Sequence, residues 1–267
     1  MVTAVARRIA GQLCMVGLPG TTVDDTTRCF LERYAPGGVI LFRRNAAGTA
    51  NALRRYVADV KAIGSGVEPL VAIDHEGGRV HRLRRPFTHF PPAAVVARGG
   101  VSAVRAVGEA MGRELAAVGI DLDFAPVLDV RTNPHNEVIA DRAFSDEPLA
   151  VGRHAIALMR GLRRGGVLPC GKHFPGHGGA RGDSHHVLPR DRRSRRVLAT
   201  TDLVPFRAAI AAGIPALMTA HVVYPALDRR PATLSSAIAT TLLRRRLGFR
   251  GVLFSDDLEM QAVAGRR

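Results

Sequence analysis

The sequence predicts an α/β fold, a (β/α)8 TIM-type barrel forming a single domain over 1–267, and three observations lead there. Short apolar runs alternate with longer stretches of helical periodicity, the pattern of βα units feeding a parallel sheet. Almost every apolar run ends in residues with chemistry: Asn45, Asp74-His75-Glu76, Asp129, Lys172-His173, His221 and Asp256-Asp257. The longest loops, 75–100, 130–146, 174–199 and 222–235, follow those same ends, and a barrel gathers all of them on one face. A doubly wound open sheet competes with this architecture. It favours a glycine-rich turn after the first strand, and MVGLPG followed by Thr21 and Thr22 is no GxGxxG fingerprint.

In chain order, strands are expected at 13–18 (LCMVGL), 37–42 (GGVILF), 69–74 (PLVAID), 121–129 (DLDFAPVLD), 167–173 (VLPCGKH), 215–221 (PALMTAH) and 250–256 (RGVLFSD). Helices are expected between them at 24–35, 48–62, 101–118, 147–165, 200–212 and 236–247. Gly119, Gly165, Gly213 and Gly248 stand where a helix end needs positive φ before the next strand. No linker, repeat or low-complexity block divides the chain. Seven strands are counted, and a barrel spends about 30 residues per unit. The seventh helix and the eighth βα unit are therefore expected to be missing, which leaves the edges of strands one and seven unpaired.

Composition limits the function classes. With 267 residues, 46% hydrophobic residues and no apolar run near the roughly 20 residues of a membrane span, the chain reads as globular, with no membrane partner. MVTAVARRIAGQLCMVG lacks the unbroken apolar region of a signal peptide, and Cys14, Cys29 and Cys170 are odd in number and widely spaced; both favour a cytoplasmic location. The net charge of +15 comes almost wholly from arginine, since Lys61 and Lys172 are the only lysines. The arginines are dispersed, with denser patches at 190–196 (RDRRSRR) and 244–246. No nucleic-acid-binding motif accompanies them, so the charge reads as compositional bias and no specific nucleic-acid partner is expected.

The densest chemistry lies at 172–189, KHFPGHGGARGDSHHVLP. A polar surface loop is one reading, and a metal site of His173, His177, His185 and His186 is a second. Pro175, Gly176 and Gly178 oppose the helix that ligand spacing would want, and no HExxH completes the set. The third is acid/base catalysis, with Asp183 fixing the tautomer of His185 and favouring its protonated ring.

KHFPGHG followed by DSHHVLP resembles the signature loop of family-3 glycoside hydrolases of the bacterial β-N-acetylglucosaminidase type, which act in peptidoglycan recycling. GQLCMVGLPG, GGVILFRRN, VAIDHEGGRVHRL, DFAPVLDV, NEVIADRAFS, MTAHVVYP and GVLFSDDLEM are similar to the family's other blocks, in the family's order and over essentially the whole chain. The resemblance implies a retaining mechanism with Asp256 as nucleophile, His185 as acid and then base, and Asp183 as its partner. It further implies that Asp74 holds sugar hydroxyls and that Arg82, Arg142, Lys172 and His173 add hydrogen bonds and positive charge around the sugar. Asp257 is expected to point away if Asp256 points in. Ala180, His75 and Ala140 stand where the family commonly has Thr, Gln and Gly.

The implied activity is exo-β-N-acetylhexosaminidase, releasing terminal GlcNAc from muropeptide fragments bearing anhydro-N-acetylmuramic acid, with no metal or organic cofactor and as a monomer. Two other functions compete: a shortened, inactive sugar-binding remnant, and a family-3 β-glucosidase of other specificity, which the DSH loop disfavours.

Overall fold

A computed structural model describes residues 4–63, 67–182 and 187–263. The helices are α1 (Ala4–Gly11), α2 (Asp25–Tyr34), α3 (Ala50–Ala62), α4 (Ala93–Val96), α5 (Gly100–Ala117), α6 (Pro148–Arg164), α7 (Arg195–Thr200) and α8 (Leu203–Ala211), with a π-helix at Ala237–Arg246. The strands are β1 (Met15–Gly17), β2 (Gly38–Leu41), β3 (Leu70–Ile73), β4 (Leu122–Asp123), β5 (Leu168–Phe174), β6 (Ala216–Thr219) and β7 (Val252–Ser255). All seven lie inside or within one residue of the expected runs.

Every strand pairs in parallel with its neighbour in sequence, giving the order β1-β2-β3-β4-β5-β6-β7. A doubly wound sheet would reverse its order at a switch point, so that architecture is excluded. The sheet curls on itself. Met15, Ile40, Ala72, Leu122, Phe124, Cys170, Ala216, Met218 and Phe254 come from all seven strands or their ends, yet they form one small apolar cluster. Phe124 and Phe254 meet edge to face at 5.5 Å across it. The alternate residues, Val39, Leu41, Val71, Ile73 and Leu217, face outward into a larger core against the helices. This is the (β/α)8 plan without its last unit among the described residues.

Helix caps follow the local sequence. Asp24, Thr49 and Ser194 each accept a hydrogen bond from the amide three residues on and start α2, α3 and α7. Gly119, Gly213 and Gly248 take positive φ as expected, but in the remaining case Gly166 does so and Gly165 does not. Gly165 is held by packing instead: a Cβ there would lie 2.7 Å from the main chain of Glu109, Gly112 and Arg113 on α5. The helix expected over 200–212 is α8, and the short helix α7 precedes it within the expected loop 174–199. Asp202 separates α7 from α8, its buried carboxylate held by Arg193 at 2.8 Å.

Gly108 and Gly112 on α5 face Gly161 and Gly165 on α6, so the two backbones touch. A Cβ at Gly161 would lie 2.3 Å from the Arg105 carbonyl oxygen, whereas one at Gly152 would meet Ala208 Cβ at 3.4 Å. Gly161→Ala is expected to cost about 3 kcal/mol by overpacking, lowering the thermal midpoint by roughly 6–12 °C. Gly152→Ala should stay within about 1 kcal/mol. Calorimetry of the pair checks this, and equal midpoints would refute the close-contact account.

Candidate active site

Strand alternation assembles the site. After β3, Asp74 and Glu76 point to one side and His75 to the other. His75 is buried on His81 (ring centroids 4.2 Å apart) and Phe90 (6.4 Å), and burial next to His81 and Arg82 depresses its pKa to about 3. Its amide donates to Asp123 Oδ1 at 2.9 Å. The chain then turns through Gly77 and Gly78, both at positive φ, where a side chain would strike Pro91 and Pro92.

Glu76 is the hub. Lys172 Nζ, at the end of β5, lies 2.6 Å from both Glu76 Oε1 and Asp74 Oδ1. Arg142 grips Glu76 with a two-pronged contact, Nε to Oε2 at 2.8 Å and a terminal nitrogen to Oε1 at 2.7 Å. Burial alone would raise the Glu76 carboxyl, but Arg142 and Lys172 outweigh it and hold the group well below the usual carboxylate range. The same attraction overcomes burial at Lys172 and Arg142 and keeps both charged. Arg82 reaches Asp74 Oδ2 only at 4.0 Å. The positive charge expected from Lys172 and Arg142 around a sugar is therefore largely neutralised by Glu76 and Asp74.

A second buried pair sits beside the first. Asp129 Oδ2 accepts from His173 Nδ1 at 2.6 Å, and its Oδ1 accepts from the His177 amide at 2.6 Å. Burial would raise Asp129, but His173 lowers it further. With Nδ1 committed, His173 has Nε2 left for the cleft. His177 packs edge on against His173 at 5.8 Å, and both of its ring nitrogens lack a partner among the described residues. Burial and the nearby His173 bring its pKa to about 4, so it is neutral.

Asp256 follows β7 and faces the same cleft, a cavity of about 130 Å³ lined also by Asp74, Arg82, Arg142, Lys172 and His173. Its Oδ1 accepts from the Asp257 amide at 2.9 Å. Burial pushes its carboxyl up, but His173, His221 and Lys172 together bring it below the ordinary value, so it is ionised. Asp257 is exposed and directs its carboxylate to the Glu259 amide, while its carbonyl contacts His221.

The structure thus brings together Asp256, Asp74, Arg82, Arg142, Lys172 and His173; Asp183 and His185 lie outside the described residues. Two of the polar strand ends serve elsewhere: Asn45 ties Phe42 to Leu18 and Gly20, and His221 bonds Thr233. Glu76, Asp129 and His177 were not singled out as sugar-binding or acid/base residues. Glu76 and Asp129 did carry a signal, as carboxylates at strand ends. Of the four histidines considered as a metal set, His173 and His177 face each other and His185 and His186 lie outside the described residues.

Beneath the cleft, burial raises Asp123 well above the ordinary aspartate value, beyond what the His75 amide and Lys172 offset. An acid whose folded pKa lies above its unfolded value of 3.8 binds more protons when folded, so stability falls as pH climbs from 3.8 toward the folded value. Asp123→Asn is expected to abolish that decline and to equal or exceed the parent's stability at neutral pH. Thermal unfolding at pH 5 and pH 8 tests it; an Asn variant less stable than the parent at both would refute an Asp123 carboxyl raised by burial.

Residues 6–266 match the glycosyl hydrolase family 3 N-terminal domain. The chain is 44% identical to a β-hexosaminidase of Chromobacterium violaceum, over 94% of this chain and 71% of that protein. It is 47% identical to one of Neisseria meningitidis, over 86% and 65% respectively. The chain thus spans about two thirds to three quarters of such relatives' length. Among solved structures, native NagZ from Neisseria gonorrhoeae superposes with a TM-score of 0.88 at 44% identity, over 95% of this chain and 75% of NagZ. A family 3 β-N-acetylglucosaminidase from Paenibacillus sp. gives 0.93 at 39% identity, over 97% of this chain and 50% of that one.

Proposed function

This chain belongs to glycosyl hydrolase family 3, and on that premise we propose that it is a retaining exo-β-N-acetylhexosaminidase that releases terminal GlcNAc from muropeptide fragments in cell-wall recycling. The observation that carries the reading is an ionised, half-buried Asp256 in a cleft with Asp74, Lys172 and His173. The names of the relatives, β-hexosaminidases and a β-N-acetylglucosaminidase, supply the sugar.

In the proposed reaction an Asp256 oxygen attacks the anomeric carbon as its bond to the leaving oxygen breaks, and His185 gives that oxygen a proton. Water then adds to the glycosyl-enzyme, losing its proton to His185, and Asp256 departs as carboxylate. Asp183 orients the imidazole in both steps. Asp74, with Lys172 fixed against it at 2.6 Å, would receive sugar hydroxyls. Arg142 holds Glu76 so that Lys172 keeps its place.

Release of nitrophenolate from 4-nitrophenyl N-acetyl-β-glucosaminide by the purified 267-residue chain tests the reading. Turnover with that sugar and none with the corresponding β-glucoside is expected. A folded chain inert toward the acetamido sugar, or preferring the glucoside, would overturn it.

A further inference from the structure

Arg142 and Arg82 both reach the cleft, and they are held differently. Arg142 is fixed by its side chain, through the two-pronged contact with Glu76. Arg82 has Asp74 Oδ2 at 4.0 Å, beyond hydrogen-bond reach. Its direction depends on where the main chain delivers it, and that chain is a tight hairpin. The Glu76 amide donates to the Val80 carbonyl at 2.9 Å, and the Val80 amide returns to the Gly77 carbonyl at 3.2 Å. Gly78 is pinned to the Phe90 carbonyl at 2.8 Å. Past Val80 the half-buried Arg82 amide needs a partner of its own. A side chain supplies it: His75 Nδ1 accepts that hydrogen at 3.3 Å.

His75 is a fixed point from which to do so. Its own amide is anchored to Asp123 Oδ1, and its ring lies between His81 and the edge of Phe90. His81 is held in turn, by Nε2 donating to the Thr88 carbonyl at 2.9 Å and by Arg43 donating to its carbonyl at 3.3 Å. Thr88 is tied through its amide and hydroxyl to Glu114 on α5, at 3.0 and 2.6 Å. A brace thus runs from a barrel helix through Thr88 and His81 to His75. An amide only donates, so Nδ1 of His75 carries the lone pair and Nε2 the proton. A second proton would set N–H against N–H beside the Arg82 cation, and burial keeps the ring neutral.

We propose that His75 is a positioning residue for the sugar site: by accepting the Arg82 amide it aims Arg82 into the cleft beside Asp74, where the guanidinium donates to a sugar hydroxyl. His75 itself stays on the far side of the strand end from Asp74 and does not line the cleft. The inference rests on the glycosidase reading and deepens it.

Variants at one position separate the hydrogen bond from the packing. His75→Phe keeps a ring against His81 but has no acceptor, and His75→Gln gives up the ring but can accept through Oε1. His75→Leu repeats the loss of the acceptor in a smaller side chain, should the Phe variant not fold. On 4-nitrophenyl N-acetyl-β-glucosaminide the Phe and Leu variants are expected to raise KM about fivefold, with kcat within about twofold of the parent. The Gln variant should stay near the parent, and His75→Phe should add nothing in an Arg82→Ala background. A Gln variant as impaired as the Phe variant would assign His75 to packing alone. A full His75→Phe effect without Arg82 would assign it to another part of the hairpin; either result overturns the proposal. Exchange of the Arg82 amide hydrogen, followed by NMR, needs no turnover. It should be slow in the parent and the Gln variant and about tenfold faster in the Phe and Leu variants. A parent that exchanges slowly but hydrolyses nothing would sink the glycosidase reading and leave the brace standing. Equal exchange in the parent and both apolar variants would overturn the brace whatever the activity.

Discussion

Asp256→Ala is expected to lower kcat/KM on 4-nitrophenyl N-acetyl-β-glucosaminide by about 10⁴ or more, with the circular dichroism spectrum unchanged. The carboxylate is half-buried, ionised and faces the cleft, and the neighbouring Asp257 cannot replace it. Asp257 faces solvent and is tied to the Glu259 amide, and strand geometry fixes the difference between the two. His185→Ala should cost far less on the same substrate, roughly a hundredfold or below, because nitrophenolate leaves with little help from a proton. On an alkyl glycoside the two losses should converge. Equal losses on the nitrophenyl substrate would sink the assignment of Asp256 as nucleophile and His185 as acid.

The second large effect concerns stability. Lys172→Met keeps the volume but deprives Asp74 and Glu76 of the ammonium that lies 2.6 Å from each. Breaking a buried ion-pair cluster by removing one partner costs about 3–5 kcal/mol. For a chain of this size that lowers the thermal midpoint by roughly 6–20 °C. Surface ion pairs give a contrast: Arg230 with Asp228, largely exposed at 3.3 Å, should yield under about 1 kcal/mol on Arg230→Ala. The pH dependence has a definite sign. Glu76 is held below its ordinary 4.5, so its pairing contributes stability above that value and loses it as pH falls through the folded pKa. The gap between parent and variant should be widest near neutral pH and close as the solution becomes acid. A midpoint shift below about 2 °C at pH 7 would mean that Arg142 alone satisfies Glu76.

The barrel plan was legible because its signals are periodic and local. Apolar runs mark β1 to β7, and a polar residue at a run's end marks the face on which the site is built. Asp256, Lys172, His173 and Asp74 could be picked out for that reason, and the resemblance of KHFPGHG and SDDLEM assigned them roles. What stayed hidden depends on distance in space. Glu76 reads as one carboxylate in DHEGG, and only the fold brings Arg142 across to it. Gly166 in place of Gly165 at the end of α6, and the break between α7 and α8 at Asp202, are decided by packing on α5 and by Arg193. RDRRSRR reads as one basic run, but the fold turns Arg193 inward to Asp191 and Asp202 and leaves Arg190 and Arg192 exposed.

The strictly consecutive strand order also governs how the molecule is made. Each strand pairs only with those next to it in the chain, so the sheet can grow unit by unit as a polypeptide emerges from the ribosome, with little loop entropy to overcome at each addition. The charges of the cleft obey a different schedule. Asp74 and Glu76 are synthesised long before Arg142 and Lys172, and Asp256 arrives with β7. A nascent chain therefore carries two carboxylates without these cations through much of its synthesis, and Asp256 joins the cleft only after both ion pairs can form.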